Sequence, residues 1–452
     1  MPYCASWNAV PLSRLTPPDG QCVAPPQRRR ALELPAPPVP QSAMRILIMG
    51  GGVVGVTTAY QLLRDGHEVV LLERQDAVAR ETSWGNAGMI APGHSFVWSS
   101  PRAPWILLKS LFRKDQALRF RFSTDPRLYR WSLKFLAECT AAKAHRNTLR
   151  KHRIAMYSQR VLHEVIAAEP LDYDRNARGV LYFHRDQAAL EAGIAHMRIL
   201  ADDGQEIRVL DRAQVLELEP ALQGSAGQIA GGIYCPTDET GDSHKFTRAL
   251  AERCAALGAE LHTGTTIDAI ETSGDAVTSV RADGRTFKAD SYVMALGSHS
   301  PLLARRIGVD LPIYPIKGYS LTIPVGNHQA PPTIGSIDET NLVAISRFGD
   351  RVRVTATAEF AGYDTSHKPA DFAFMTSVVQ KLYPDGADYH RAEMWAGLRP
   401  MTPDNLPVLG RKRHRNLWYN TGHGHIGWTM SHGTARITAD LIAGHAPAIA
   451  LD

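Results

Sequence analysis

The chain has 452 residues, 44% of them hydrophobic and 21% charged, with a formal net charge of +5 at neutral pH. That length exceeds one ordinary core, so two domains are expected; the mild charge is no nucleic-acid footprint, though it permits attraction to anionic substrates or lipid headgroups. The five cysteines, Cys4, Cys22, Cys139, Cys235 and Cys254, are scattered with no CxxC pair, which suits a reducing, cytoplasmic compartment and argues against a disulfide framework or a cysteine-rich zinc site.

Residues 1–43 carry ten of the 29 prolines and the run Arg28-Arg29-Arg30. They lack the apolar core of a secretory signal, and their proline density opposes an amphipathic transit helix. A disordered extension is expected, because Met44 opens directly into the first strand. Ile46 to Met49 reads as a buried parallel strand. Gly50, Gly52 and Gly55 then form G-x-G-x-x-G, with Gly51 as a fourth glycine. In this fingerprint the first glycine makes the tight turn, the second admits a pyrophosphate and the third lets helix pack on strand. A helix over about Val53 to Arg64 points its positive end at that pyrophosphate, and Gly66 stops it. The next strand, Glu68 to Leu72, ends at Glu73, whose carboxylate accepts from ribose hydroxyls and repels a 2′-phosphate. Strand, glycines, helix, strand and acid together predict a bound dinucleotide but do not separate NAD from FAD.

After Glu73 the loop "ETSWGNAGMIAPG", Glu81 to Gly93, is small and polar enough to lie against a flat ring. "PWILLKSLFRKDQALRFRF", Pro104 to Phe122, mixes aromatic and aliphatic residues with five cations. It reads as a basic amphipathic helix, suited either to an anionic membrane surface or to burial within a domain. Further on, a helix is expected over Ser243 to Gly258, then the strand-like "ELHTGTTIDAIE". An apolar strand from Ser291 runs into Gly297, a second close approach. The block 301–394 alternates as strands in "YSLTIP", "NLVAISRF" and "RVRVTATAEF", the mark of an antiparallel sheet. Near the end, Gly422, Gly424 and Gly427 precede an amphipathic helix, a second positive helix tip suited to a reduced flavin's anionic edge. No window has the roughly eighteen uninterrupted apolar residues that a spanning helix needs. Any membrane contact is therefore expected to be peripheral.

The segments "MGGGVVGVTTAYQLLRDGHEV", "ETSWGNAGMIAPG", "DETGDSHKFT", "YPIKGYSLTIP", "WAGLRPMTPDNLPVLG" and "NLWYNTGHGHIGWTM" resemble the FAD-dependent D-amino acid oxidase-like family, and within it the bacterial D-amino acid dehydrogenases. The resemblance covers nearly everything from Met44 onward. It departs in the leader of residues 1–43 and in a chain that stops soon after the last helix. It implies an α/β protein: a Rossmann-type FAD domain with a parallel sheet (44–94, 225–300 and 395–445), interleaved with an α+β substrate domain with an antiparallel sheet (95–224 and 301–394). It implies FAD held by Ile48, Gly50, Gly51, Gly52, Val53, Val54, Gly55, Glu73, Arg74, Ser83, Asn86, Gly88, Met89, Ile267, Gly297, Gly424 and Gly427. The implied reaction is oxidative deamination of D-amino acids such as D-alanine to 2-oxo acids and ammonia. Electrons then pass to a quinone or other acceptor, the enzyme being peripheral on the inner face of the bacterial inner membrane.

Such chemistry needs a clamped carboxylate, a neutral amine and a Cα–H over the ring. Arg399 in "GLRPMTPD" is the expected clamp, a planar fork that lysine does not reproduce; the plainer alternative is an ion pair with Asp404. Tyr319 could share the carboxylate or be a core aromatic, and Lys317 on the same strand face is expected to be solvated. His423 is expected beside the ring as a donor, while His94 stays unassigned. His423, His425 and His432 lack a partner acid or cysteine at ligand spacing, so no metal is expected. No dedicated base is required, since burial lowers the ammonium pKa and lets the proton go to solvent. An oxygen-using glycine, sarcosine or D-amino acid oxidase is the nearest rival, and a non-catalytic nucleotide-binding sensor is the rival from another class. Enantiomer, side-chain range, acceptor and oligomeric state lie beyond this reading.

Overall fold

The computed structural model describes residues 43–110, 118–121 and 123–450. Its first element, Arg45–Met49, is flanked on both sides by parallel partners, Glu68–Leu72 and Ser291–Met294. Glu260–His262 and Leu417–Thr421 extend the sheet in parallel, and Val408–Arg411 closes it antiparallel, giving six strands. The central strands are apolar along their whole length because both faces are covered. On one face the helix Val53–Arg64 packs between Ser243–Ala256 and the C-terminal helix Gly427–Ile442. On the other lies a three-stranded antiparallel ribbon, Ile267–Ser273, Ala276–Ala282 and Arg285–Phe287. The helix expected after the glycines has the bounds read from the sequence, and Gly66 ends it at φ +84° with its N–H on Leu63.

A second sheet of nine strands is mostly antiparallel. Its order runs from Glu393–Met401 through Tyr314–Pro324, Arg351–Phe360, Val343–Phe348, Gly335–Asp338, Val180–His184 and Gly231–Cys235 to Arg208–Asp211. Two pairings in it are parallel: Gly335–Asp338 with Val180–His184, and Arg351–Phe360 with Leu118–Phe120. Two segments expected in the nucleotide domain are strands of this sheet instead. Gly231–Cys235 pairs with Val180–His184, and Glu393–Met401 pairs with Tyr314–Pro324. Backbone pairing across distant sequence carries no local signal, so a motif-based boundary misses it.

The basic amphipathic stretch is likewise broken up. Ala103–Ser110 is helical, residues 111–117 and 122 lie outside the described residues, and Leu118–Phe120 is an edge strand. Of the extension expected at residues 1–43, residues 1–42 also lie outside them.

Candidate active site

The two sheets face a shared cavity of about 990 Å³, at the upper end of small-molecule sites. One wall is the glycine turn. Gly50 sits at φ +109°, and a Cβ there would lie 2.7 Å from the Ala295 carbonyl oxygen. A Cβ on Gly55 would lie 1.9 Å from the Gly50 oxygen, so helix and strand meet only because it is absent. Ile48, Gly51 and Gly55 therefore build the turn from beneath and do not line the cavity; Gly50, Gly52, Val53 and Val54 do. The helix begins with no acidic residue in its first turn and no side-chain cap at Gly52, while the Val53 N–H donates to Ser83 Oγ at 3.0 Å. This end carries uncompensated positive charge, the requirement for an anion. Glu73 accepts from the Gly51 N–H at 2.7 Å and the Gln75 N–H at 2.8 Å, which hold its carboxylate at the cavity wall with lone pairs to spare. Burial pushes its carboxyl above the ordinary range, and those two bonds oppose the shift.

Arg74 lines the same end, ion-paired with Glu81, together with Ile267. Asn86 accepts the Gly88 N–H at 2.8 Å, tightening the loop toward Met89. Gly88, at φ +71°, leaves room for Phe348, whose Cζ would stand 2.0 Å from a Cβ. Gly297, at φ +51°, and the glycines Gly424 and Gly427 complete the far wall. There the C-terminal helix also starts with no acidic residue in its first turn. Two helix tips thus converge on one cavity.

Opposite them, Arg399 faces Gly318, where a Cβ would lie 2.4 Å from its Nη1. Nη1 donates to the Thr357 carbonyl at 3.0 Å and to Lys317 O at 3.4 Å. Thr357 is the extra residue of a β-bulge, since Gly318 pairs with Ala358 and Tyr319 with Ala356. Its φ of +64° is costly for a β-branched residue, and that strained backbone aims the carbonyl at the arginine. No carboxylate among the described residues pairs with Arg399, and burial alone pushes its pKa down to about 10. Asp404 instead accepts the Leu406 N–H, so the ion-pair alternative fails.

Tyr319 fits the core-aromatic alternative, although it also borders the cavity. Strand alternation turns it away from Arg399, its side chain is 1% exposed, and its hydroxyl donates to Glu359. Lys317 shares that face and is buried rather than solvated, with Nζ on Ser366 O and 3.8 Å from Glu359. His423 lines the cavity, yet its Nε2 is engaged by Thr434 Oγ1 at 2.9 Å, and burial pushes its pKa down to about 3. It is a neutral ring fastened to the C-terminal helix rather than a free donor. Sequence reasoning missed His425 and Lys151. His425 lines the cavity, stacks on Trp98 at 5.0 Å and meets Lys151 Nζ at 3.2 Å. Only the histidine-rich "GHGH" hinted at it, and nothing local marks Lys151. Among the described residues no three His, Cys, Asp or Glu side chains are grouped to hold a metal ion.

A glycine turn under a bare helix tip, a carboxylate beyond it and a second glycine-led tip define a flavin dinucleotide site. The model of the FAD dependent oxidoreductase family matches residues 45–441, and the chain belongs to that family, with FAD as its cofactor. Among its relatives is a protein named D-amino acid dehydrogenase 2 from Mesorhizobium japonicum, 44% identical over 407 residues and spanning 90% of this chain and 98% of the relative. A D-amino acid dehydrogenase from Paramagnetospirillum magneticum is 44% identical over 412 residues, covering 90% and 97%. A solved glycine oxidase from Bacillus cereus shares the fold at TM-score 0.68 and 22% identity, covering 89% of this chain and 95% of that one.

Proposed function

We propose that this enzyme oxidatively deaminates D-amino acids, converting them to 2-oxo acids and ammonia, and that it passes the electrons to a quinone or another carrier rather than to oxygen. The observation that carries the substrate class is Arg399, a buried guanidinium on the cavity wall with no carboxylate partner among the described residues. A substrate carboxylate supplies the missing counter-ion, and the planar fork fixes its orientation. The relatives named D-amino acid dehydrogenase support the choice of enantiomer and acceptor. FAD, which the two helix tips and Glu73 would hold, would supply the hydride acceptor. The chain's own residues would clamp the carboxylate through Arg399, orient the substrate, and exclude water with Trp98, Tyr182 and the apolar wall around Ile233 and Ile337. The resulting imine hydrolyses in water.

The flavin band of purified protein should bleach under anaerobic D-alanine and stay unchanged with L-alanine. Bleaching by the L-enantiomer alone would reverse the assignment. Reduction of a quinone analogue without hydrogen peroxide in air supports the dehydrogenase, and stoichiometric peroxide supports an oxidase.

Peripheral membrane contact is part of the same proposal. No helix among the described residues is long and apolar enough to cross a membrane. Yet six of the exposed large hydrophobic residues fall between positions 105 and 136, including Trp105 at 59% and Leu133 at 69% exposure, with Arg130 and Lys134 between them. An apolar patch with basic neighbours suits an anionic lipid surface. Sedimentation with anionic vesicles that is lost in Leu133→Glu supports this contact, and equal sedimentation of the variant refutes it.

A further inference from the structure

The α-ammonium of an amino acid must lose a proton before Cα–H can leave as hydride, and the fold holds a receiver for it. We propose that this proton passes through His425 to Lys151, which is the terminal acceptor of the reductive half-reaction. The inference rests on the D-amino acid reading given above and deepens it.

Lys151 lies at 0% exposure within the helix Ala141–Ala168. Among the described residues its Nζ has two partners, the Phe96 carbonyl at 3.3 Å and His425 Nε2 at 3.2 Å, and no carboxylate. A buried lysine without an acid is kept neutral by the cost of charging it, and burial pushes the amine well below its ordinary range. A neutral amine has one lone pair. With that lone pair facing His425, the imidazole carries its proton on Nε2 and leaves Nδ1 as an acceptor. The ring also bonds to the His94 backbone; its Nδ1 is buried with no well-aligned hydrogen-bond partner among the described residues, and His425 lines the cavity that holds Arg399.

Among the described residues no acid hydrogen-bonds to Lys151 or His425, although Glu339, whose carboxyl burial pushes up to about 7, lines the same cavity. Arg399 and His94 bear on His425, and His94 is neutral, pushed by burial to about 4. Elsewhere on the same helix, His152 and Arg153 share Asp203. From the C-terminal helix, His432 is neutral and Arg436 is held by Asp65 and Asp440.

The step balances without a redox partner. One substrate N–H bond breaks as a bond to His425 Nδ1 forms, while His425 Nε2–H breaks as a bond to Lys151 Nζ forms. The substrate becomes a neutral amine, Lys151 becomes an ammonium, and no proton is released to solvent. His425 is the catalytic group in contact with substrate, and Lys151 acts through it. A lysine with only a packing role is poorly explained here, because methionine would fill the same volume at no charging cost.

The test uses the FAD-loaded enzyme and 2-aminoisobutyrate, an amino acid without a Cα–H, which binds but is not oxidised. Its dissociation constant is read from the flavin spectrum between about pH 6.5 and 9, below the ligand's own amine pKa. In the wild type the bound proton stays on the protein, so the constant should be flat with pH. In Lys151→Met only the neutral amine has a fitting site, so binding should tighten about tenfold per pH unit. The rate of anaerobic flavin bleaching by D-alanine should acquire the same slope. A flat Lys151→Met profile, or a sloped wild-type profile, overturns the proposal. Should Lys151→Met fail to retain flavin, His425→Phe interrupts the same path and must give the same slope. Absence of any 2-aminoisobutyrate binding by the wild type overturns the relay together with the reading beneath it. Binding without bleaching by D-alanine removes only the oxidation.

Discussion

Arg399 and Tyr319 stand on neighbouring strands, yet the physics at each is opposite. Arg399 is a buried cation whose bonds among the described residues are to backbone carbonyls, so no acid among them compensates its charge. Replacing it with leucine should lower kcat/KM by about a thousandfold, which corresponds to a lost buried ion pair of about 4 kcal/mol. Flavin content, read from the visible spectrum, should be unchanged; a colourless variant would assign the residue to folding instead. Lysine at the same place should restore charge but not the fork, leaving KM raised. Tyr319→Phe should alter kcat/KM by less than about threefold while lowering stability by about 1 kcal/mol in a denaturant titration. Its hydroxyl serves Glu359, which Lys317 and Arg121 also approach on the far side of the sheet.

The glycine turn works as an element because three chain segments occupy space that side chains would otherwise fill. Gly55→Ala would bring a methyl to 1.9 Å from the Gly50 carbonyl and force helix from strand. Flavin affinity should then fall at least about tenfold, measured by fluorescence quenching on adding FAD to the stripped protein. The bulge at Thr357 is the second decisive element. It exists only because the strands Tyr314–Pro324 and Arg351–Phe360 slip by one residue, and the slip supplies the carbonyl that steadies Arg399.

Across the whole molecule, the two sheets meet around the cofactor cavity, so cofactor and fold stability are linked. FAD at about a hundred times its dissociation constant should add about 2.7 kcal/mol, visible as a raised melting temperature. The pH dependence follows from buried neutral imidazoles. His423 and His432 are both pushed by burial to about 3, below the value of about 6.5 in an unfolded chain. Between those limits the unfolded state binds more protons, so stability rises with pH and is lost as pH falls below about 6.5. Each ring contributes at most about 1.4 kcal/mol per pH unit. Melting temperatures at descending pH should show the decline, and His432→Leu should flatten part of it.

Read alone, the residue order was enough for the first strand, its glycines, the helix and Glu73, because these lie within one short stretch and obey local rules of turn, cap and period. It was enough for the second glycine-led helix tip and for bringing Arg399 to notice, a residue that the structure places on the cavity wall. The assignment of Gly231–Cys235 and Glu393–Met401 to the larger sheet was decided only by long-range backbone pairing. The tertiary structure also engaged the Tyr319 hydroxyl with Glu359 and fastened His423 to Thr434. It brought Lys151 from a helix and His425 from a distant turn to within 3.2 Å. Those outcomes depend on which face a side chain presents and what packs against it, and such contacts form between residues hundreds of positions apart. Spacing along a chain carries no record of them.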